Sequence, residues 1–293
     1  LRYCAQLNKR PHSMTSRFDD HFMNVSALTD QGILEIRGRD AVKFLQGYCT
    51  CDLLKLTQNQ SLYGAITNIQ GRAETTFIAT LDTAHVLSSA DEPSILLRMS
   101  TTCLPDIRDF LAKYVVFSKA TLVDRSQDIV CFGLDQAPLQ PTGIVVSIPQ
   151  RPDAFELWTT ESIKATTHLD AWRRSEIIAG LTWLDRRQAG KYQPFELGLA
   201  DNAGIDFQKG CYLGQEIIAR VHYRGKTKSV FRVGLAEGAC RPGDRIYRES
   251  TQPCGEVINA APSDSGTDCS VIIQSSALNL PLTVNARPLT LRS

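Results

Sequence analysis

A chain of 293 residues is longer than one ordinary hydrophobic core supports, so two or three domains are expected. Apolar residues make up 43% and charged residues 22%, the balance of a soluble globular protein, and no apolar run approaches the length of a membrane-spanning helix. A formal charge of +1 excludes binding modes that rest on bulk attraction to a polyanion, so any basic site must be local.

Residues 1–18 carry Arg2, Lys9, Arg10 and Arg17 with no acid before Asp19. This predicts a flexible N-terminal extension ahead of a fold that begins near Asp19; a basic, acid-poor organellar transit segment is the other reading. GILEIRG (Gly32 to Gly38) alternates apolar and polar residues as a half-buried strand does. In DAVKFLQGYCTCDLLKL, Val42, Leu45 and Gln46 follow Asp40 at helical spacing, with Asp40 as the cap. SLYGAITNIQGRAETTFIATL reads as two strands around a turn at Asn68 to Arg72, where Gly71 supplies a positive φ.

AHVLSS and SILLRMS are two further predicted strands, and CLPDIRDFLAKYVVF is a helix with Pro105 near its start. Its apolar side carries Leu104, Ile107, Phe110, Leu111 and Tyr114. ATLVD and DIVCFGL return to strand, Gln136 to Pro141 is a break, FELWTT is a strand and HLDAWRRSEIIAGL a helix. Pro194 to Asp206 shows no regular period and reads as a long loop, a class that is often functional. Strands and helices interspersed with hairpins place residues 19–227 in the α+β class, as two lobes that are consecutive or interleaved. From residue 228 to 293, SVFRVGL, GDRIYRE, GEVINAA, CSVIIQS and LTVNARPLTL form short strands between turn residues, a small C-terminal β-barrel or sandwich.

The nine cysteines are spread along the chain without a C-x-x-C pair or zinc-type spacing, so reduced thiols in a cytoplasm-like compartment and no metal site are expected. The stretch richest in chemistry is KGCYLGQEIIAR, Lys209 to Arg220. A thiol reacts as thiolate, and a cation or a helix N-terminus favours that form. Lys209 supplies the cation next to Cys211, and Leu213, Ile217 and Val221 place a helix start just beyond it. Asp206 and Glu216 act in the opposite sense, and a lone cysteine is more often structural. His222 is the one histidine near in sequence.

Arg220, His222, Arg224, Lys226, Lys228 and Arg232 form a basic run, a solvated face by base rate and an anion site if a carboxylate or phosphate is held there. Trp172 precedes Arg173 and Arg174 on a predicted helix, where an indole is usually core but also suits a flat heteroaromatic ligand. Arg72 follows Gly71 in a tight turn and is expected at the surface, with projection into a cleft the minority case.

With K-G-C-Y-x-G-Q-E in this loop, IRGRDAVKFLQG and TNIQGRA upstream, and DFLAKYVVFSKATL and AWRRSEIIAGL between, the chain resembles the YgfZ family. These are folate-binding relatives of the glycine-cleavage T-protein that act in iron–sulfur protein maintenance and tRNA modification. The resemblance covers about Gly32 to Lys228 and implies two α+β lobes and a small β-barrel around a central channel for tetrahydrofolate or a derivative. It implies Trp172 as a folate contact, Lys209 and Cys211 as the signature loop with Cys211 the reactive thiol, and Arg72 as the basic residue of the turn. Gln31 aligns with a second folate-contacting tryptophan of the family. Arg220 and Arg224 are then candidates for the acidic folate tail.

Two departures separate the chain from the aminomethyltransferases of this fold. Thr75 and Thr76 stand where those enzymes carry a catalytic aspartate, and Ile178 stands where they carry the glutamate that grips the pterin. A folate-dependent accessory factor acting with iron–sulfur client or assembly proteins is therefore expected ahead of a one-carbon transferase or demethylase. The expected factor is monomeric and binds neither nucleic acid nor membrane. It is cytoplasmic, or matrix-located in the organellar case.

Overall fold

The computed structural model describes residues 23–57, 60–82, 94–225, 227–248 and 252–292. The expected N-terminal extension and the strand AHVLSS lie outside them. In chain order the first part holds β1 (Val25–Ala27), β2 (Gln31–Arg37), α1 (Ala41–Gln46), β3 (Ser61–Thr67), β4 (Ala73–Leu81), β5 (Ser94–Ser100), α2 (Leu104–Val115) and β6 (Thr121–Asp124). β7 (Val130–Leu134), β8 (Ile144–Ile148), β9 (Arg151–Thr159), α3 (Leu169–Ile178) and α4 (Gln215–Arg224) follow. The last strands are β10 (Ser229–Ala236), β11 (Arg245–Tyr247), β12 (Pro253–Ser263), β13 (Gly266–Gln274), β14 (Leu282–Val284) and β15 (Arg287–Leu291).

These strands make a five-stranded sheet ordered β3-β4-β5-β2-β6, a four-stranded sheet ordered β1-β7-β9-β8, and a closed barrel ordered β10-β13-β12-β11-β14-β15. Strand β1 precedes the five-stranded sheet in the chain yet pairs with β7, so the two α+β lobes interleave. The C-terminal strands close into a barrel, not a sandwich, and leave no open sheet edge.

β2 shows where alternation misleads. It is buried on both faces, because Ile33 packs into the core shared by the lobes while Leu34 and Ile36 pack into a second cluster with residues of α1 and α2. Glu35, the polar residue of the alternation, has no exposed surface; Ser94 Oγ donates to it at 2.8 Å and Arg125 Nε at 2.9 Å. Asp40 precedes α1 as expected but caps nothing through its side chain, which accepts from the Lys119 amide at 2.9 Å. The β3–β4 turn carries Gly71 at φ +68°, and α2 begins with Pro105 in its first turn and buries Leu104, Ile107 and Leu111. β8 was not foreseen, since its five residues follow directly on the Pro–Thr–Gly break.

One apolar core runs through all three lobes. It joins Ile33, Ile78 and Leu96 of the five-stranded sheet to Ile144 and Trp158 of the four-stranded sheet and to Ile258 and Ile272 of the barrel. Helix α3 lies where they meet. Arg174 on it pairs with Asp268 of the barrel at 2.6 Å, and Glu176 with Arg98 of β5 at 3.1 Å.

Candidate functional site

At this junction lies a cavity of about 290 Å³, lined by Gln31, Arg173, Glu176, Trp183, Asp185 and Asn259 among others. Its volume is at the lower end of the range for small-molecule sites, about 300–1,000 Å³, enough for a bicyclic head group whose tail runs outward. Trp183 follows the Gly180 break after α3. Its amide donates to Asn259 Oδ1 at 3.0 Å, and Asn259 Nδ2 returns a bond to its carbonyl at 2.7 Å. The barrel thereby fixes this indole. The Arg98 guanidinium lies 4.0 Å from its ring centre and Tyr63 meets it edge-on. Trp183 Nε1 and Gln31 Oε1 are buried with no hydrogen-bond partner among the described residues.

Beneath the cavity Arg98, wholly buried on β5, lies 2.8 Å from Glu156 Oε1 and 3.1 Å from Glu176 Oε1. One guanidinium thus serves two buried carboxylates. Burial pushes Glu176 up, Arg98 opposes, and the neighbouring Glu156 adds to the rise, leaving Glu176 at about 7. Burial also raises Glu156, against Arg98 and the Trp158 indole N–H. At the rim, half-exposed Arg173 donates to Asp30 Oδ2 at 2.8 Å.

Trp172 does not line this cavity. Its ring is 6% exposed, packs onto Gly133 and lies under the Arg151 guanidinium at 3.9 Å. A Cβ on Gly133 would come within 2.3 Å of the ring, so glycine there makes room for the indole. Trp172 thus seats α3, which carries Arg173 and Glu176 to the cavity.

The signature loop buries Lys209 and Tyr212 and leaves Gly210 and Cys211 between them exposed. Lys209 is 7% exposed, and its Nζ donates to the carbonyls of Gln46 (2.9 Å), Cys49 (2.6 Å) and Cys51 (2.7 Å), with Cys49 Sγ at 3.7 Å. Its ammonium therefore anchors the loop onto the segment between α1 and β3. Tyr212 is buried, Leu213 N–H donates to Gly47 O at 2.9 Å, and Thr67 Oγ1 donates to Leu213 O at 2.6 Å. Gly214, at φ +83°, closes the loop where a Cβ would lie 2.4 Å from Asn68 O. Between these pins Cys211 is exposed.

The sequence placed the helix stripe at Leu213, Ile217 and Val221. In the structure Ile218 is, among the described side chains of α4, the one that is buried, and α4 begins at Gln215. Neither nearby acid is free. Lys55 donates to Asp206 at 2.5 Å and, against the effect of burial, holds its carboxyl low, while Glu216 pairs with Arg220 at 3.2 Å.

The cleft expected to join Trp172 to Cys211 does not correspond to the junction cavity, which neither residue lines. Of the sequence candidates, Gln31 lines it. Arg72 is exposed and donates through Nη1 to Lys191 O. Arg220 flanks an open surface groove with Glu216 and Tyr223, and Arg232 on β10 donates to Phe231 O at 2.7 Å. The Arg224 side chain and Lys226 lie outside what is described. His222 stacks on Phe207 with ring centres 3.7 Å apart. Thr76 is buried and donates to Thr182 O at 2.5 Å.

Trp183 and Glu176 were missed in the sequence, although Glu176 gave a signal: it stands four residues after Trp172 on the buried face of its helix. Among the described residues no cluster of potential metal ligands is found, and the eight cysteines are free. No helix among them is long and apolar enough to cross a membrane.

A scan against models of known protein families finds no match. Among curated proteins the chain is 28% identical over 252 residues to a tRNA-modifying protein YgfZ of Hamiltonella defensa, covering 75% of this chain and 72% of that one. A protein of the same name from Aliivibrio fischeri is 27% identical over 89% of this chain and 88% of its own length. A mitochondrial iron–sulfur cluster assembly factor homologue of Mycosarcoma maydis is 29% identical over 68% of this chain and 53% of its own length. Among solved structures, the glycine cleavage system aminomethyltransferase T of Bartonella henselae superposes with a TM-score of 0.67 at 12% identity, covering 92% of this chain and 85% of that one. The fold is that of the T-protein, three-lobed with a C-terminal barrel.

Proposed function

We propose, from the premise that this chain is a member of the YgfZ family, that it is a folate-binding accessory protein supporting assembly or repair of iron–sulfur enzymes and, through them, tRNA modification. The observation that carries the reading is the junction cavity, whose lining leaves an indole N–H and an amide oxygen without partners among the described residues, beside a buried carboxylate. A pterin ring has the flat face, the donors and the acceptor that such a lining complements. Gln31, Glu176, Trp183 and Asn259 would hold that ring, and Arg173 at the rim would meet the carboxylate tail. Trp172 contributes by seating α3. Arg72 and Arg220 do not line the cavity and, with Arg224, are kept as candidates for an extended polyglutamate tail. A reduced folate, when bound, supplies a carrier for one-carbon units.

Cys211 is the reactive thiol of this proposal, held at the tip of a rigid loop with Lys209 as its positioning residue. One cysteine does not meet a cluster's usual demand for four thiolates, so a client or assembly protein must bring the others. The protein is read as a monomer of the cytoplasm, or of the mitochondrial matrix, acting on proteins and not directly on nucleic acid.

Fluorescence titration with tetrahydrofolate tests the cavity. Trp183→Ala is expected to weaken binding about tenfold, the upper end for one lost aromatic contact, and, because the indole is also buried in the shared core, to lower the melting temperature. Trp172→Ala also lowers stability, by about 3–5 kcal/mol as for a large core side chain removed, without deleting a cavity-lining group. Wild-type affinity in a folded Trp183→Ala protein would remove the indole from the site. For Cys211→Ser, folate binding is retained while iron–sulfur enzyme activity in a deletion strain is not restored; full rescue would reduce the thiol to a loop residue.

A further inference from the structure

We infer that Cys240 and Cys269 of the barrel form a reversible disulfide when the protein meets a hydroperoxide, and that the bond clamps the loop carrying Pro242, part of the wall of the junction cavity. Strand register brings the two residues together. β10 pairs with β13 so that Gly234 faces Cys269 and Ala236 faces Thr267. The chain then turns back over β13, where Thr267 Oγ1 donates to Gly238 O at 2.9 Å. Cys240 follows two residues later. Its sulfur lies in hydrogen-bonding contact with the thiol of Cys269 and the hydroxyl of Thr267, which share one face of β13. Both cysteines belong to the apolar cluster of the barrel. Sulfurs already in contact need little main-chain movement to bond, and the segment they would close holds β11 and β12, so the cross-link also restricts the unfolded chain.

The two thiols are not equivalent. Cys240 is 7% exposed and stands between exposed Ala239 and Arg241, whereas Cys269 has no exposed surface. Contact with Cys269 holds the Cys240 thiol below its ordinary range against burial, and contact with Cys240 together with burial pushes Cys269 up. Cys240 is therefore the attacking sulfur. Its thiolate breaks the O–O bond of the peroxide: an S–O bond forms, and the departing hydroxide takes up a proton as water. Cys269 then loses its proton and attacks the sulfenic sulfur, an S–S bond forms, and the second oxygen leaves as water. Two thiols give up two electrons, and one peroxide accepts them. Such bonds in a reducing compartment are transient and sensing in character, not structural. Among the described residues another pair of thiols touches, Cys49 and Cys51, which are 0% and 2% exposed. Their carbonyls both hold the Lys209 ammonium, so a bond there would disturb that anchor. The loop after β10 has only exposed hydrogen bonds of Asn285 Nδ2 to Ala239 O (3.1 Å) and Asp244 Oδ2 (2.7 Å) besides its backbone contacts, which leaves the cross-link something to tighten.

The test treats the full chain carrying Cys211→Ser, which removes the exposed thiol, with hydrogen peroxide. Free thiols are then alkylated and the linkages mapped by peptide mass spectrometry. A Cys240–Cys269 bond is expected, reversed by dithiothreitol. The oxidised protein is expected to melt roughly 5 °C higher than the reduced one. Hydrogen exchange across Glu237 to Asp244 is expected to slow at least about fivefold on oxidation. A second variant with Cys269→Ser added should show neither change. Full alkylation of both barrel cysteines after peroxide overturns the inference, as does a bond at Cys49–Cys51 in its place or a Cys240 that proceeds to sulfinic acid without a linkage. A Cys240–Cys269 bond with unchanged exchange overturns the clamp. The linkage map is read with both barrel cysteines intact, so it decides the matter even if the serine variant at position 269 does not fold, and it does so whether or not the cavity takes a folate.

Discussion

Lys209→Met is expected to lower the midpoint of thermal unfolding by roughly 10 °C, corresponding to a loss of about 3 kcal/mol. The ammonium is buried and all three of its N–H groups are directed at backbone carbonyls, those of Gln46, Cys49 and Cys51. Methionine fills a similar length but leaves these oxygens buried without a donor, and each such group costs about 1–3 kcal/mol before relaxation. Arginine should not restore stability, because a planar guanidinium cannot direct three bonds from one compact centre. Calorimetry on the two variants checks this. A methionine variant melting within about 2 °C of wild type, a difference of under 1 kcal/mol, would contradict the anchoring role. The same experiment separates two readings of K-G-C: a lysine that activates the neighbouring thiol, and a lysine that holds the loop presenting it.

Arg98→Met should cost about 3–5 kcal/mol at pH 8 and clearly less at pH 5. Removing the guanidinium leaves Glu156 and Glu176 buried without a counter-charge. The direction with pH follows from linkage. Glu176 in the folded protein titrates at about 7, above its ordinary 4.5, so the folded state binds its proton more tightly than the unfolded chain does. That contribution is fully present below the unfolded value and disappears as pH rises through the folded one. Without Arg98 both carboxyls rise further, the window extends upward, and the deficit of the variant grows with pH. Urea unfolding at the two pH values measures it. An equal loss at pH 5 and pH 8 would show that Arg98 acts through packing on Trp183 alone.

These two residues also mark where sequence is informative and where it stops. Arg98 interrupts the apolar run SILLRMS, Glu156 interrupts FELWTT, and Glu176 lies on the apolar face of a helix. A charge on a buried face signals a partner, but three such signals do not say that they find one another. Residue identity likewise did not separate the tryptophans. Trp172 stands on a periodic helix and is core; Trp183 stands in an aperiodic stretch, and its position depends on Asn259, 76 residues away.

What the sequence determined by itself is local. Strand and helix identity, the positive φ at Gly71, the proline-started α2 and the barrel's run of short strands follow from patterns within a few residues, where steric and hydrophobic preferences act directly. The family resemblance and the fold it implies rest on short contiguous motifs of the same kind, from IRGRDAVKFLQG to KGCYLGQEIIAR. Tertiary structure decided the rest: which indole meets the cavity, where the Lys209 ammonium goes, and which acids share Arg98. Those outcomes turn on distances between segments far apart in the chain. Hydrogen bonding and charge pairing act over a few ångströms and are blind to sequence separation, so only the folded arrangement specifies them.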